Sequence, residues 1–147
     1  MNPRIASAVA AAVIAAASVV GSLKSPADDP RLINYQARCA QALSYFIGQV
    51  PKVYPGYQVT LGEAWRPEWV AIEYAKRGMG ISTSLHIKRL AIDLNLFING
   101  AFQVDGSKHK PTAELWKAIA PAFGVVPGAG VDFGDGNHYS CALDGKE

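Results

Sequence analysis

Three side chains in the second half of the chain have the chemistry to hold a metal ion together. His86 precedes a predicted strand that carries Asp93, and His138 lies three residues after Asp135. Zinc hydrolases use three imidazole or carboxylate ligands, leave a fourth position for water and place another carboxylate near that water. His86, Asp93 and His138 match the ligands and Asp135 matches the carboxylate. A strand Asp or a single His is more often structural, so residue types alone leave both interpretations open.

The spacing of His86 and Asp93 requires a bend in the chain between them. Strand alternation places Ala91, Asp93 and Asn95 on one face of the predicted strand. Seven positions separate His86 from Asp93, an odd number, so a straight strand would direct the two side chains to opposite faces. We therefore expect the bend at residues 87–89.

Three sequence motifs resemble one family of enzymes. Residues 84–93 are similar to the Ser-x-His-x-x-Gly-x-Ala-x-Asp motif of the peptidoglycan metallopeptidases, which comprise D-Ala-D-Ala carboxypeptidases and L-alanyl-D-glutamate endopeptidases. Residues 135–138 match their second motif, an acid three residues before a His. Residues 62–67 resemble their strand-to-helix turn with a substrate-binding Arg. The resemblance covers about residues 31–143 and is strongest for the phage endolysin branch, which shares residues 84–86 and 89–97.

This resemblance implies a fold, a cofactor and a set of roles. The fold is α+β, a small antiparallel sheet flanked by helices, of the zinc-peptidase type (hedgehog/D,D-peptidase-like). By this resemblance, the ligands of Zn²⁺ would be His86, Asp93 and His138. Asp135 would be the general base, and Arg66 would steady the scissile carbonyl oxygen.

The chain departs from the family pattern at two places. Arg89 stands where the wider family has Gly, although the phage branch shares the Arg. Gly130 or Val131 stands where a Trp is common, which leaves one wall of the substrate cleft undefined.

The implied activity is that of a phage endolysin, a zinc-dependent endopeptidase that cuts the L-alanyl-D-glutamate bond of the peptidoglycan stem peptide for host lysis. A D-Ala-D-Ala carboxypeptidase is an alternative because it shares the zinc site. A catalytically inactive cell-wall-binding module and a membrane-anchored structural protein are further alternatives.

The first residues of the chain predict export. Residues 5–23 form an uncharged run of nineteen between Arg4 and Lys24, and eight of them are Ala. As a helix this run would measure about 28 Å, close to the thickness of a bilayer core. We expect residues 1–24 to be a signal-anchor or a cleaved signal peptide, residues 25–30 a linker, and residues 31–147 the catalytic domain. The protein would be anchored in the inner membrane and then periplasmic in the host cell.

Composition excludes other classes of protein. The chain has 147 residues, of which 18% are charged, and a net charge of +2. It has no basic run, so we expect no nucleic-acid partner, because phosphate binding needs clustered Lys and Arg. The length fits one domain, and we expect a monomer.

Hydrophobic periodicity and turn residues predict the order of elements. The prediction is a helix over residues 31–50, a strand over 57–61, a helix from Pro67 to Gly78, a strand over 90–98, a hairpin at Asn99-Gly100 with its second strand over 101–104, a helix over 112–120, a loop over 121–130 and a strand over 137–143.

Several residues with reactive or bulky side chains are assigned no role in the site. We expect His109, in a polar loop, to be solvated at the surface. Trp65, Trp69 and Trp116 are expected to anchor the core, and Tyr139 to pack on the strand face opposite His138.

Four residues stay open at this stage. Glu63 is either a partner of Arg66 or a loop carboxylate, and Asp132 is either near the metal or a bystander. Cys39 and Cys141 would close one disulfide outside the cytoplasm. We favour Cys39 as an unpaired, buried apolar residue.

Overall fold

The computed structural model describes residues 2–19 and 30–143. Most of the linker expected at 25–30 and the last four residues of the predicted catalytic domain lie outside this part. The helices are α1 (Pro3–Val19), α2 (Pro30–Val53), α3 (Glu68–Lys76) and α4 (Lys110–Ile119). The strands are β1 (Tyr57–Leu61), β2 (Ala91–Ile98), β3 (Ala101–Phe102), β4 (Pro127–Ala129) and β5 (His138–Cys141).

One antiparallel sheet lies at the centre of the described chain. Its strand order is β1-β2-β5-β4, and β3 pairs with the end of β2 through the expected hairpin. Asn99 and Gly100 both have positive φ angles, as the tight hairpin turn requires. The architecture is the predicted one, a small antiparallel sheet flanked by helices.

Helices α2 and α4 cover one face of the sheet and form the core with it. Phe46 of α2 packs against the rings of Trp116 and Tyr139, with centroids 5.5 and 5.1 Å away. The indole of Trp116 donates to the carbonyls of Gly128 and Ser140 at 3.0 and 3.2 Å. These two bonds connect α4 to both β4 and β5. The core role predicted for Trp116 and the packing role predicted for Tyr139 are therefore confirmed.

Most predicted ends of helices and strands lie within two residues of the structure, but two predictions are wrong by more. Helix α2 continues through Pro51 to Val53, because a proline in the last turn removes only one backbone donor and leaves the preceding turns intact. The region predicted as a loop at 121–130 contains a short 3₁₀ helix, Ala120–Phe123, and strand β4. Strand β4 exists because its backbone pairs with β5, a contact that local periodicity does not reveal.

Helix α1 packs against α2, α4 and the 3₁₀ helix that follows α4. Ala8 is buried there, and the hydroxyl of Tyr45 donates to its carbonyl at 3.1 Å. The membrane segment expected at residues 5–23 is described only as far as Val19. Among the described residues, no helix meets both the length and the apolarity that crossing a membrane requires.

The two cysteines form a disulfide, which corrects the expectation that Cys39 is unpaired. Cys39 of α2 and Cys141 of β5 are both fully buried, with Cα atoms 6.0 Å apart. The bond joins positions separated by 102 residues and so ties the first helix of the core to the last strand.

Candidate functional site

His86, Asp93 and His138 meet on one face of the sheet. Asp93 and His138 are direct register partners on β2 and β5, and His86 lies in the short 3₁₀ helix Leu85–Lys88. The Nε2 atom of His86 is 3.2 Å from Oδ1 of Asp93 and 3.1 Å from Nδ1 of His138. The third distance, from Nδ1 of His138 to Oδ1 of Asp93, is 3.3 Å.

The donor set and its spacing fit a zinc ion. Ligand atoms at zinc–nitrogen and zinc–oxygen distances in a tetrahedron are about 3.3 Å apart, so the observed triangle matches one face of that tetrahedron. Both imidazoles are buried, and Nδ1 of His86 has no hydrogen-bond partner. Burial raises the pKa of Asp93, but hydrogen bonds from His138 and His86 outweigh it and hold that pKa well below its usual range. The three facing atoms are therefore one oxygen of a charged carboxylate and two imidazole nitrogens.

The bend between His86 and Asp93 lies where the spacing requires it. Arg89 adopts the left-handed conformation with φ of 54°, and its backbone N–H donates to the carbonyls of His86 and Leu85. Ser84 accepts a hydrogen bond from the backbone of His86 at the start of this turn. Positive φ favours glycine, which is the residue that the motif compared above has at this position.

Arg66 is held rigidly beside the triad. Its Nε and Nη2 atoms donate to the two carboxylate oxygens of Glu63 at 2.9 and 2.5 Å, and its guanidinium lies 5.0 Å from the ring centre of Tyr74. Hydrogen bonding to Arg66 lowers the pKa of Glu63, and hydrogen bonding to Glu63 raises the pKa of Arg66, so both stay charged. Nη1 makes no side-chain hydrogen bond to the described residues. Glu63 is thus the partner of Arg66.

Asp135 lies in the loop that leads into β5. Its backbone N–H donates to the carbonyl of Gly130 at 2.8 Å, and its own carbonyl accepts from His138 N–H at 3.0 Å. A Cβ atom at Gly130 would overlap the carbonyl oxygen of Asp135, so this position requires glycine. The carboxylate of Asp135 is exposed and makes no hydrogen bond or ion pair within the described residues.

These groups line one cavity of about 250 Å³, here named the Arg66 cavity. Arg66, His86, Asp135 and His138 supply its polar wall. Its apolar wall comes from Met79, Ile81 and Phe133, which sequence reasoning did not select. Phe133 lies 6.0 Å from the ring of His138 and provides an aromatic wall near the place where the family commonly has Trp. The sequence feature that could have selected Phe133 is its position two residues before Asp135.

Other expectations about side chains near the site need correction. Trp65 and Trp69 are 51% and 72% exposed, so they do not anchor the core. Trp65 instead stacks with the guanidinium of Arg89 at 4.9 Å. Asp132, which the sequence left open, pairs with Lys117 at 2.7 Å.

His109 is buried, with 2% of its surface exposed, and the prediction of a solvated surface residue is wrong. The 3₁₀ helix Gly106–His109 brings its ring against Tyr139, where Nδ1 lies 2.9 Å from the phenol oxygen. The flanking Lys108 and Lys110 are exposed and dominate the local pattern, so the sequence carried no signal of this burial.

No protein-family model matches the chain, and neither does any curated protein. Among solved structures, the fold is similar to the crystal structure of the Serratia marcescens L-Ala D-Glu endopeptidase ChiX. The TM-score is 0.56 at 18% sequence identity, and the match covers 78% of this chain and 94% of that one. At this identity the likeness establishes the fold, and it confirms the predicted combination of helices and a small antiparallel sheet.

Proposed function

We propose that this chain is a zinc-dependent peptidoglycan endopeptidase that hydrolyses the L-alanyl-D-glutamate bond of the stem peptide. The observation that carries the proposal is the triangle of His86, Asp93 and His138, whose two imidazoles line the same cavity as the carboxylate of Asp135 and the guanidinium of Arg66. The fold shared with an L-Ala D-Glu endopeptidase supports the choice of substrate.

The triad has the composition of a zinc site with three protein ligands, in which Nε2 of His86, Nδ1 of His138 and Oδ1 of Asp93 would hold the ion. When bound, zinc supplies a Lewis acid that polarises a carbonyl oxygen and lowers the pKa of water to about 7. Paired strands position Asp93 and His138, and the 3₁₀ helix Leu85–Lys88 positions His86.

Asp135 would act as the general base and then as the general acid. Its carboxylate accepts a proton from the attacking water and later gives that proton to the amine that leaves when the amide C–N bond breaks. A positioned acid and base of this kind contributes roughly 10²- to 10⁴-fold to the rate. Because Asp135 has no side-chain partner in the described chain, no competing hydrogen bond has to break first.

Arg66 would stabilise the negative charge that develops on the carbonyl oxygen. Two hydrogen bonds to Glu63 and the ring of Tyr74 hold the guanidinium in place, so its Nη1 donors need no reorganisation during the reaction. Loss of such a donor costs on the order of 10²–10³ in kcat.

The test is mass spectrometry of purified peptidoglycan digested by the zinc-loaded full chain, with and without a chelator. New D-Glu amino termini that disappear with the chelator and return with added Zn²⁺ are the expected result. Release of single D-Ala residues would instead identify a D-Ala-D-Ala carboxypeptidase. Intact peptidoglycan, from protein that is folded and contains zinc, would contradict an enzymatic role and identify a cell-wall-binding module.

We further propose that the chain is exported through residues 1–24 and acts as an endolysin in host lysis. The uncharged run at residues 5–23 and the disulfide support this, because disulfides persist in oxidising compartments. Fractionation of expressing cells should find the protein at the inner membrane and in the periplasm, and thiol labelling should find its cysteines blocked. A protein confined to the cytoplasm with free thiols would exclude this role.

A further inference from the structure

A second cavity, of about 350 Å³, lies on the other side of Asp135, and we name it the His109 cavity. Asn95, Gln103 and His109 line it together with Asp135. Its volume falls in the range of ligand pockets, roughly 300–1,000 Å³. Asn95 follows Asp93 on the same face of β2, so the His109 cavity extends the face that carries the triad.

The hydrogen bonds around His109 determine which ring nitrogen carries the proton. The hydroxyl of Thr112 donates to the carbonyl of His109 at 2.8 Å, so it must accept from the hydroxyl of Tyr139, 2.7 Å away. The phenol oxygen of Tyr139 is then left to accept from Nδ1–H of His109 at 2.9 Å. The Nε2 atom is therefore unprotonated, an acceptor without a partner in the described chain. Burial lowers the pKa of His109, consistent with this neutral form.

Asn95, Gln103 and Asp135 add further acceptors to this wall, beside the amide of Asn137. The amide nitrogen of Asn95 donates to Thr60 at 3.3 Å, and that of Gln103 donates to the carbonyl of Ala101 at 2.7 Å. Their carbonyl oxygens have no partner in the described chain, and neither has the carboxylate of Asp135. The cavity thus offers acceptors on His109, Asp135, Asn95 and Gln103, while each amide keeps a second N–H, and it suits a neutral ligand that brings O–H and N–H donors.

The two cavities differ in charge. Arg66 lines one of them, whereas no Lys or Arg lines the His109 cavity within the described residues. Lys108 and Lys110 flank His109 in sequence, but both are exposed and neither belongs to the wall. A carboxylate is therefore favoured near Arg66, and a neutral group with hydroxyl and amide donors is favoured at His109.

We infer that the His109 cavity is a specificity subsite for the neutral, sugar-bearing side of the scissile bond, with Nε2 of His109 accepting a hydrogen bond from it. This inference rests on the proposed function. In a muropeptide, the amino side of the L-Ala to D-Glu bond carries amide N–H groups and the hydroxyls of an amino sugar. The acidic D-Glu side then lies towards Arg66.

Two substitutions of His109 separate its effect on ligand binding from its effect on stability. His109→Asn keeps a donor near the Nδ1 position for Tyr139 but removes the acceptor at Nε2, whereas His109→Gln keeps an acceptor near Nε2 and loses the bond to Tyr139. We expect His109→Asn to keep the thermal midpoint and lose ligand affinity. His109→Gln should lower the midpoint and keep most of the affinity.

The first measurement is calorimetric binding of N-acetylmuramoyl-L-alanine to the full chain. The second compares the cleavage kinetics of a stem peptide that carries an N-acetylmuramoyl group with those of the same peptide capped with acetyl. Wild type should have a lower KM for the muramoyl peptide than for the acetyl peptide. His109→Asn should weaken probe binding and reduce this difference in KM roughly five- to tenfold, with kcat little changed. Equal KM values for both peptides, or affinity that follows the thermal midpoint of the variants, would overturn the inference. Binding of the muramoyl probe without cleavage of either peptide would refute the proposed endopeptidase and leave the subsite standing.

Discussion

At the scale of single residues, the exposed carboxylate of Asp135 allows activity to be separated from stability. Asp135→Asn removes the proton acceptor while the shape of the side chain and the loop backbone are preserved. We expect the cleavage rate of peptidoglycan to fall roughly 10²- to 10⁴-fold with an unchanged thermal midpoint. Asp132→Asn is the matched control, since Asp132 lies three positions away and pairs with Lys117. Equal rates for the Asp135 variant and wild type would remove Asp135 from the mechanism.

Arg66 offers a second test of a single side chain. Lysine keeps the positive charge but cannot hold the two-pronged contact with Glu63 and still present free donors. We expect Arg66→Lys to lower kcat by roughly 10²-fold. Arg77→Lys, which changes an exposed Arg paired with Glu73, should leave the rate unchanged. A similar loss in both variants would show that charge on this surface, and not the position of Arg66, matters.

A single residue of the site could be predicted from sequence only where a short motif contained it. His86 and Asp93 lie seven positions apart, and His138 lies three from Asp135, so short motifs selected them. His109 had no such motif. Its burial depends on Tyr139, a partner thirty positions away, and local sequence does not encode such a contact.

At the scale of elements, the loop before β5 tests how backbone packing positions the site. Gly130→Ala would drive a Cβ atom into the carbonyl of Asp135, and backbone cannot yield as a flexible side chain does. We expect the free energy of unfolding to fall by about 1–3 kcal/mol, with loss of cleavage, because the Asp135 loop must move.

The control for this substitution is Gly48→Ala in the exposed face of α2, where no atom lies within 4 Å of the added Cβ. That change should stabilise the protein by about 0.5–1 kcal/mol, since glycine is unfavourable inside a helix. Urea unfolding measures both variants. A Gly130 variant as stable and active as wild type would mean that the loop is not restrained as the structure shows.

Elements with strong periodicity were predictable, and those defined by pairing were not. The pattern of α2 and the alternation of β2 carried their own signal, and the Asn99-Gly100 turn marked the hairpin. Strand β4 has three residues, one of them glycine, and becomes a strand only through its ladder with β5.

At the scale of the whole molecule, the disulfide between Cys39 and Cys141 restrains the unfolded chain over almost the whole catalytic region. Replacing both cysteines by alanine should lower the free energy of unfolding by about 2–5 kcal/mol. Cleavage by the folded variant should persist, because neither cysteine lines the Arg66 cavity.

Denaturant unfolding of the double variant, beside wild type with and without a reducing agent, tests this expectation. Reduced wild type should resemble the double variant. An oxidised wild type no more stable than the variant would show that the bond adds no restraint.

Strand alternation predicted the bend at residues 87–89, and periodicity with turn residues predicted the mixture of helices and strands, because these signals act over a few positions. The triad was selected by two short motifs and their resemblance to the peptidoglycan metallopeptidases, since residue types alone left the metal site open. Tertiary structure alone decided that Glu63 pairs with Arg66, that the cysteines form a disulfide, and that His109 is buried against Tyr139 and lines a second cavity. Each of these depends on where packed elements bring groups together. The free energy of such contacts comes from burial and hydrogen bonding across the fold, which neighbouring residues in the chain do not specify.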